Sequence, residues 1–530
     1  MTSNASFRRK VIYGVIIAIL LLPLYLISRP SVREPDGRLT EGGVLAQLRS
    51  EYDLSQADLG EIDPASESMK LATLGMRGIA ANLLWERATR YHRVHDWDSL
   101  TATLNQISKL QPNFISVWQF QGWNLAYNVS VEFDDYRSRY HWVKRGIDYL
   151  REGIRYNSQE PVLPWEIGWT FGHKIGKADE YTLFRRLYAE DNDFHDDLSA
   201  NINIDNTLGP NGWSEQDRPD NWLTGREWFL RGQQIVDSGI PIRGRLVDDS
   251  VRRGKTPLLF HSHPPKWLIN HATIIEEEGV LDEKAQYAWM RSGNEWSNYG
   301  NKEIPTSYGF AIKLEDQERI QEEVNKIGEQ IDELLPGVRE EIEAEKRGGL
   351  FPEELAASLV PAEQRTEEQR ELAFAAERKS RARYPEIADR APADLKRKVD
   401  QLVAQGQVAQ AVADAIYNYK DQVNYDYWKL RCNIEQSDTA IRARRLIFDA
   451  DAAFRRGDLQ EMRRLYEQSW EEWAKIFNDH PVMLEDITAE ELMDSVRRYA
   501  WVLSQEEEEF PPPDFPLKRL LEFHDLEEEY

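Results

Sequence analysis

Apolar side chains recur along much of this chain at the three- and four-residue spacing of helices that bury one face. Leu84 and Trp118 lie 34 residues apart, and each begins the same apolar and aromatic pattern over two consecutive helices. Pro112 closes the first helix pair, as a proline does in a 34-residue helical repeat. The pattern therefore predicts an all-α fold of repeated helix pairs, an architecture that forms extended binding surfaces.

A different apolar period begins at Ile320. Apolar residues there alternate at spacings of four and three, which is the seam of a heptad repeat. The seam consists of Ile320, Val324, Ile327, Ile331 and Leu334. Pro336 interrupts it after about two heptads, fewer than a long coiled coil has. The pattern predicts a helical arm, and it leaves open whether residues 314–346 form a dimer seam or an intrachain hairpin.

The clearest targeting signal lies at the N-terminus. Arg8, Arg9 and Lys10 precede an uncharged run over residues 11–28, which is just long enough to cross a bilayer as a helix. Leu26 would occupy a cleavage-site position that needs a small residue, so an uncleaved anchor is favoured over a cleaved signal peptide or a buried helix. The short N-terminal segment favours a cytoplasmic N-terminus, with the body on the extracytoplasmic side.

Changes in pattern divide the chain into eight predicted segments. The first four are a short N-terminal segment (1–10), the transmembrane anchor (11–28), a Pro- and Gly-containing stalk (29–65) and helical repeats (66–190). The next four are an irregular region with a further helix pair (191–310), the charged helical arm (311–400), a C-terminal repeat-like region (401–505) and an acidic, Pro-containing tail (506–530). The tail is predicted to be a loosely packed end.

Charge and cysteine content narrow the possible partners. The net charge of -26 argues against nucleic acid as a partner, because phosphate binding needs a basic surface. Cys432 is the single cysteine, so no intrachain disulfide forms and the fold depends on packing.

Motifs for catalysis are missing from the sequence. It contains no G-x-S-x-G nucleophile elbow, no phosphate-binding P-loop and no G-x-G-x-x-G after a strand. We therefore expect no enzyme activity and no cofactor.

The best candidate for metal chemistry is a histidine cluster. His261 and His263 would point the same way on a strand and could hold one ion, with His271 on the helix that follows. A loop before a helix begun by Pro264 and Pro265 is the alternative local structure. A metal-binding protein or metal-dependent hydrolase that uses these three histidines therefore remains an alternative function.

The repeat pattern resembles a known family. Residues 84–128 are similar to tetratricopeptide repeats, with Leu84, Arg87 and Gln121 in place of the family's usual residues. Together with the anchor and the blocks Leu71–Trp85 and Asn424–Glu435, the chain is similar to single-pass repeat proteins of planctomycete-type bacteria. The resemblance implies peptide or protein binding in a superhelical groove and supplies no catalytic residues.

These observations favour a membrane-anchored scaffold in a bacterial envelope assembly. On the first helices of the repeats, the residues expected to face a protein or peptide partner are Arg90, Gln119, Asn124 and Asn128. A few of the many tryptophans are expected to line the same concave surface. A structural spacer that dimerises through the heptad arm is the second alternative.

Overall fold

The computed structural model describes residues 77–524, apart from gaps at 212, 214–215, 241–244, 247–251, 254–255 and 307–308, together with residues 43, 44 and 47. The predicted anchor and nearly all of the predicted stalk lie outside the described residues. Within the described part, no helix is both long and apolar enough to cross a membrane. The described chain is almost entirely helical, which confirms the all-α prediction.

The chain divides into two compact units. Unit 1 comprises Met1–Ser292 and Ile434–Tyr530, and unit 2 comprises Gly293–Asn433. The predicted arm (311–400) and the first part of the predicted region 401–505 therefore fall together in unit 2.

Ten helices precede or enter unit 2 in the described chain. They are α1 (Arg77–Arg93), α2 (Trp97–Leu110), α3 (Ile115–Trp123), α4 (Tyr136–Tyr156), α5 (Val162–Thr170), α6 (Tyr181–Glu190), α7 (Asn192–Ser199), α8 (Asn221–Asp237), α9 (Pro257–Glu277) and α10 (Glu283–Asn301). Successive helices α1 to α4 form the antiparallel pairs that the 34-residue period predicts.

Eleven further helices follow in the described chain. They are α11 (Gln317–Leu334), α12 (Val338–Arg347), α13 (Pro352–Leu359), α14 (Glu367–Ser380), α15 (Tyr384–Asp389), α16 (Lys396–Val423), α17 (Tyr425–Glu435), α18 (Asp438–Arg455), α19 (Leu459–Asp479), α20 (Ile487–Gln505) and α21 (Lys518–Phe523).

Strands are short and occur only as two-residue antiparallel pairs among the described residues. The pairs are β1 (Leu208–Gly209) with β2 (Arg218–Pro219), β3 (Arg245–Leu246) with β4 (Arg252–Arg253), and β5 (Ile304–Pro305) with β6 (Ala311–Ile312).

Local sequence signals explain where the second helix of each of the first two pairs begins. The Asp96 carboxylate accepts a hydrogen bond from the Ser99 backbone N–H at 3.2 Å and caps α2. Asp135 caps α4 in the same way through the Ser138 N–H at 2.9 Å. Each cap satisfies one of the free N–H groups at a helix start. The apolar stripe of α2, which includes Leu104, is fully buried.

Glycines allow a close crossing of α5, α8 and α9. A Cβ on Gly168 would lie 2.7 Å from the Gly225 carbonyl oxygen, and a Cβ on Gly225 would lie 2.9 Å from the Gly168 carbonyl oxygen. The Trp267 indole of α9 fills the neighbouring space, 2.8 Å from the Cβ position of Gly225. Only glycine fits at both positions without moving a backbone.

Glutamates at the end of α9 form ion pairs with arginines from both sequence segments of unit 1. The Arg185 Nε lies 2.6 Å from Glu278 Oε1, and its Nη2 lies 3.1 Å from Asp220 Oδ2. Arg444 of α18 lies 3.5 Å from Glu276 Oε2 and also pairs with Glu435. The ion pairs therefore link α6 and α18 to the same helix end.

The later part of the C-terminal tail is packed, which makes the prediction of a loose end wrong for residues 515–521. Leu517 and Leu520 are buried, and Phe515 packs against Trp470 with ring centroids 5.2 Å apart. Arg463 holds Glu508 through Nη2 at 2.7 Å. Aromatic and apolar residues after the acidic run thus pack against α19 and α20.

In unit 2 the heptad segment packs against a later helix of the same chain. Helix α11 packs along α16, and its seam residues Ile327 and Ile331 are buried. Val399 and Val403 of α16 are buried as well. The apolar seam is therefore covered within one chain, with α12 to α15 between the two long helices in sequence.

Two aromatic side chains close the base of unit 2. The Trp296 indole N–H donates to the Tyr425 carbonyl at 2.9 Å, and their rings stack with centroids 5.6 Å apart. Gly300 allows this contact, because a Cβ there would collide with the Tyr425 side chain. The helix at the start of unit 2 therefore contacts the helix at its end.

Candidate functional site

A continuous series of ring contacts crosses the first helices of the repeats and continues onto α9. We call it the aromatic stripe. Its members are Trp85, Phe120, Trp123, Tyr127, Trp169, His173 and His263. Successive centroids lie 5.3 to 6.3 Å apart, within the range of attractive aromatic pairs.

Two π-helical turns position the centre of the stripe. Helix α3 continues into a π-helical turn over Asn124–Val129, and α5 continues into one over Phe171–Ile175. Tyr127 and His173 lie in these two turns, and the Tyr127 hydroxyl lies 3.2 Å from His173 Nδ1. π-Helical turns often mark functional positions in helices. Here they direct one ring from each helix toward the other.

The stripe is partly exposed and rests on a buried aromatic base. Trp123 is 45% exposed, and His173 is exposed as well. Beneath the stripe, Trp165, Phe229 and Trp267 are buried. Contacts with this base restrict the orientations of the partly exposed rings above it.

The ionisable groups at the centre of the stripe are uncharged near neutral pH. Burial lowers the pKa of His173, and the nearby Lys177 and Lys174 lower it further. Burial also raises the pKa of Tyr127, with a smaller contribution from Glu166. Lys174 lies 5.5 Å from the Tyr127 ring centroid as a cation–π partner.

Of the four residues predicted to face a partner, three are exposed or half-buried and one is buried. Gln119 donates to Glu166 Oε1 at 3.1 Å and bridges α3 and α5 beside the stripe. Arg90 is exposed on α1. Asn124 is fully buried, and Asn128 donates to its Oδ1 at 2.9 Å. A fully buried Asn124 side chain supports the helix and does not touch a partner directly.

A few tryptophans were expected on the concave surface from the sequence. Trp123, Tyr127 and His173 were not among the residues individually predicted to lie there. The available signal was the spacing of Trp123 and Tyr127, which are four residues apart on the first helix of a repeat. His173 gave no signal, because its contact with Tyr127 depends on how two helices pack.

The predicted metal cluster is corrected by the secondary structure. His261, His263 and His271 all lie on α9, which begins at Pro257, so neither a strand nor a loop is present. Residues two apart on a helix point about 200° apart, and residues ten apart are separated by about 15 Å along the axis. Within the described residues, no group of three or more His, Cys, Asp or Glu side chains is arranged to hold a metal ion.

Each of the three histidines contacts protein groups. His261 Nε2 lies 3.3 Å from Asp237 Oδ1. His263 Nδ1 lies 2.6 Å from the Leu259 carbonyl oxygen, and its ring belongs to the aromatic stripe. His271 is buried, and burial lowers its pKa to about 4, so it is neutral at neutral pH. Their contacts are those of packed side chains in unit 1.

The chain matches no known protein-family profile, and no curated protein matches it significantly. Its function is therefore argued from the aromatic stripe.

Proposed function

We propose that the protein is a helical repeat scaffold that binds a protein or peptide partner along the aromatic stripe. The observation that carries this proposal is the partial exposure of rings that form an unbroken series over α1, α3, α5 and α9. Preoriented aromatic side chains give a large contact area at a small entropic cost, which is why they dominate binding surfaces.

The membrane-anchored form of this scaffold is part of the proposal. The uncharged run over residues 11–28 and the basic residues before it support an anchor with the body on the extracytoplasmic side. Resemblance to the tetratricopeptide family supports a role in holding an envelope assembly together. The buried heptad seam leaves less support for a spacer that dimerises through residues 314–346.

The test is site-specific photo-crosslinking of the full-length protein in membranes of its source organism. A benzoylphenylalanine replaces Trp123 in one variant and Trp501 in a matched control. Both tryptophans are about half exposed, at 45% and 52%, but Trp501 lies on α20 outside the stripe. We expect a discrete adduct from position 123 that is absent from position 501.

An anchor-only protein with residues 1–40 serves as a second control for capture by the membrane itself. Mass spectrometry identifies the protein in the adduct. Purification of that partner from crosslinked membranes should then recover the present protein with it. Identical adducts from positions 123 and 501, or no adduct from position 123, would rule out the stripe as a partner surface.

A further inference from the structure

Three tryptophans of the stripe offer hydrogen-bond donors that the protein does not use. The indole N–H groups of Trp85, Trp123 and Trp169 have no acceptor among the described residues. The Nε1 atoms of Trp85 and Trp169 are not enclosed, in contrast to the enclosed and unpaired Nε1 atoms of Trp222 and Trp267, and the Trp123 side chain is 45% exposed. One free indole donor therefore lies on each of α1, α3 and α5.

Acceptors beside these donors are already engaged. The Glu166 carboxylate accepts from Gln119, and the Tyr127 hydroxyl is paired with His173. An indole N–H donates only and cannot accept. The stripe therefore presents indole donors and aromatic rings, and these two neighbouring acceptors already take part in hydrogen bonds.

The donors and rings of the stripe favour some conformations of a bound peptide over others. A helical segment uses its carbonyl groups internally, except in its last turn. An extended strand presents carbonyl groups together with N–H groups that need acceptors. A proline-rich segment in the polyproline conformation has free carbonyl groups, few N–H groups and compact apolar rings, and these groups match the donors and rings of the stripe.

We infer that the aromatic stripe binds a proline-rich segment of its partner in the polyproline conformation. This inference rests on the proposed function and names the chemistry of its ligand. Backbone carbonyl groups of the segment accept from the indoles of Trp85, Trp123 and Trp169. Its proline rings pack on the exposed faces of the stripe, as such segments do in other aromatic-lined grooves.

The test measures fluorescence anisotropy of a fluorescein-labelled decaproline peptide titrated with the full-length protein. A glycine-serine decamer with the same label is the comparison ligand. It has the same number of backbone carbonyl groups, but it lacks the rings and the preformed conformation. We expect decaproline to bind at least tenfold more tightly than the glycine-serine decamer.

Substitutions at Trp123 separate the donor from the ring. Trp123→Phe keeps a ring and removes the N–H, so decaproline affinity is expected to fall about three- to tenfold. Trp123→Ala removes both and is expected to weaken binding further. Trp501→Phe, outside the stripe, is expected to leave affinity unchanged, and circular dichroism confirms that each variant is folded.

The outcomes distinguish this inference from the proposed function. Equal affinity for both decamers, or full affinity in Trp123→Phe, overturns the polyproline ligand. If decaproline fails to bind while position 123 still crosslinks to a partner, the scaffold function stands and its ligand chemistry is different. If both experiments fail, the stripe is not a partner surface.

Discussion

The His271 imidazole lies in the interior of unit 1, where burial lowers its pKa to about 4 even though the nearby Asp220 carboxylate opposes that shift. In the unfolded chain a histidine titrates near pH 6.5. Between these two values the unfolded state binds a proton that the folded state does not bind. Stability therefore rises with pH across this window and is lost as the pH falls from about 6.5 toward 4.

His271→Gln is expected to remove this contribution, because glutamine does not titrate. The slope of the unfolding free energy against pH should decrease by up to about 1.4 kcal/mol per pH unit between pH 4.5 and 6. Urea unfolding at a series of pH values measures the slope. His141→Gln, at an exposed position on α4, is the control. An unchanged slope in His271→Gln would show that the buried imidazole is not the group responsible.

Individual side chains were the hardest feature to predict from the sequence. The pairing of Tyr127 with His173 joins residues 46 apart, and it depends on the packing of two π-helical turns. Asn124 occupies a polar position in the sequence but is buried because α3 is covered on several sides. Local spacing contains no information about which neighbouring helix covers a residue.

At the level of helices, the hydrophobic period predicted α2 and α4 well, because each of these two helices has a side-chain cap and one apolar face. It was less informative for α9. Pro264 and Pro265 suggested a helix start, since proline lacks the N–H that an inner helical position donates. The helix instead begins at Pro257 and passes through both prolines, where burial against neighbouring helices outweighs the local preference.

The buried seam of α11 gives a prediction about this element. Ile331 is fully buried in the hairpin with α16, so Ile331→Ala is expected to destabilise the protein by about 2–5 kcal/mol. The oligomeric state should not change, because the seam is covered within one chain. Glu329→Ala, at an exposed position of the same helix, should change stability by less than about 0.5 kcal/mol.

Urea unfolding and sedimentation velocity measure the two effects separately. A smaller sedimenting species for Ile331→Ala than for the unchanged protein would indicate that the seam also holds subunits together.

At the scale of the whole molecule, the sequence indicated a helical arm inserted among repeat-like regions but misplaced its limits. Unit 2 extends over Gly293–Asn433, because α16 returns along α11 and brings distant residues into one body. Such pairing over long sequence separations leaves no periodic signal. The tail was wrongly predicted to be loosely packed, because its acidic run indicated an exposed segment. The apolar residues after that run pack against helices that are distant in the sequence.

Arg444 is the residue whose loss should affect unit 1 most widely. It is largely buried with Glu276 and Glu435, and it joins residues that lie on opposite sides of unit 2 in the sequence. Arg444→Met removes the positive charge that lies between these buried carboxylates, so a loss of about 3–5 kcal/mol is expected. Arg442→Met removes an arginine that is 68% exposed and should cost less than about 1 kcal/mol.

Chemical unfolding of the two arginine variants beside the unchanged protein measures this difference. Equal stability of Arg444→Met and Arg442→Met would mean that the buried cluster contributes little to holding the early and late parts of unit 1 together.

The contact between Trp296 and Tyr425 fixes the two ends of a long excursion of the chain next to each other. The free energy for closing a chain segment grows only with the logarithm of its length, so doubling that length costs about 0.6 kcal/mol. Paired turns could therefore be added to or removed from α11 and α16 with little change at their common base. The length of unit 2 is therefore free to change while the contact that closes it is kept.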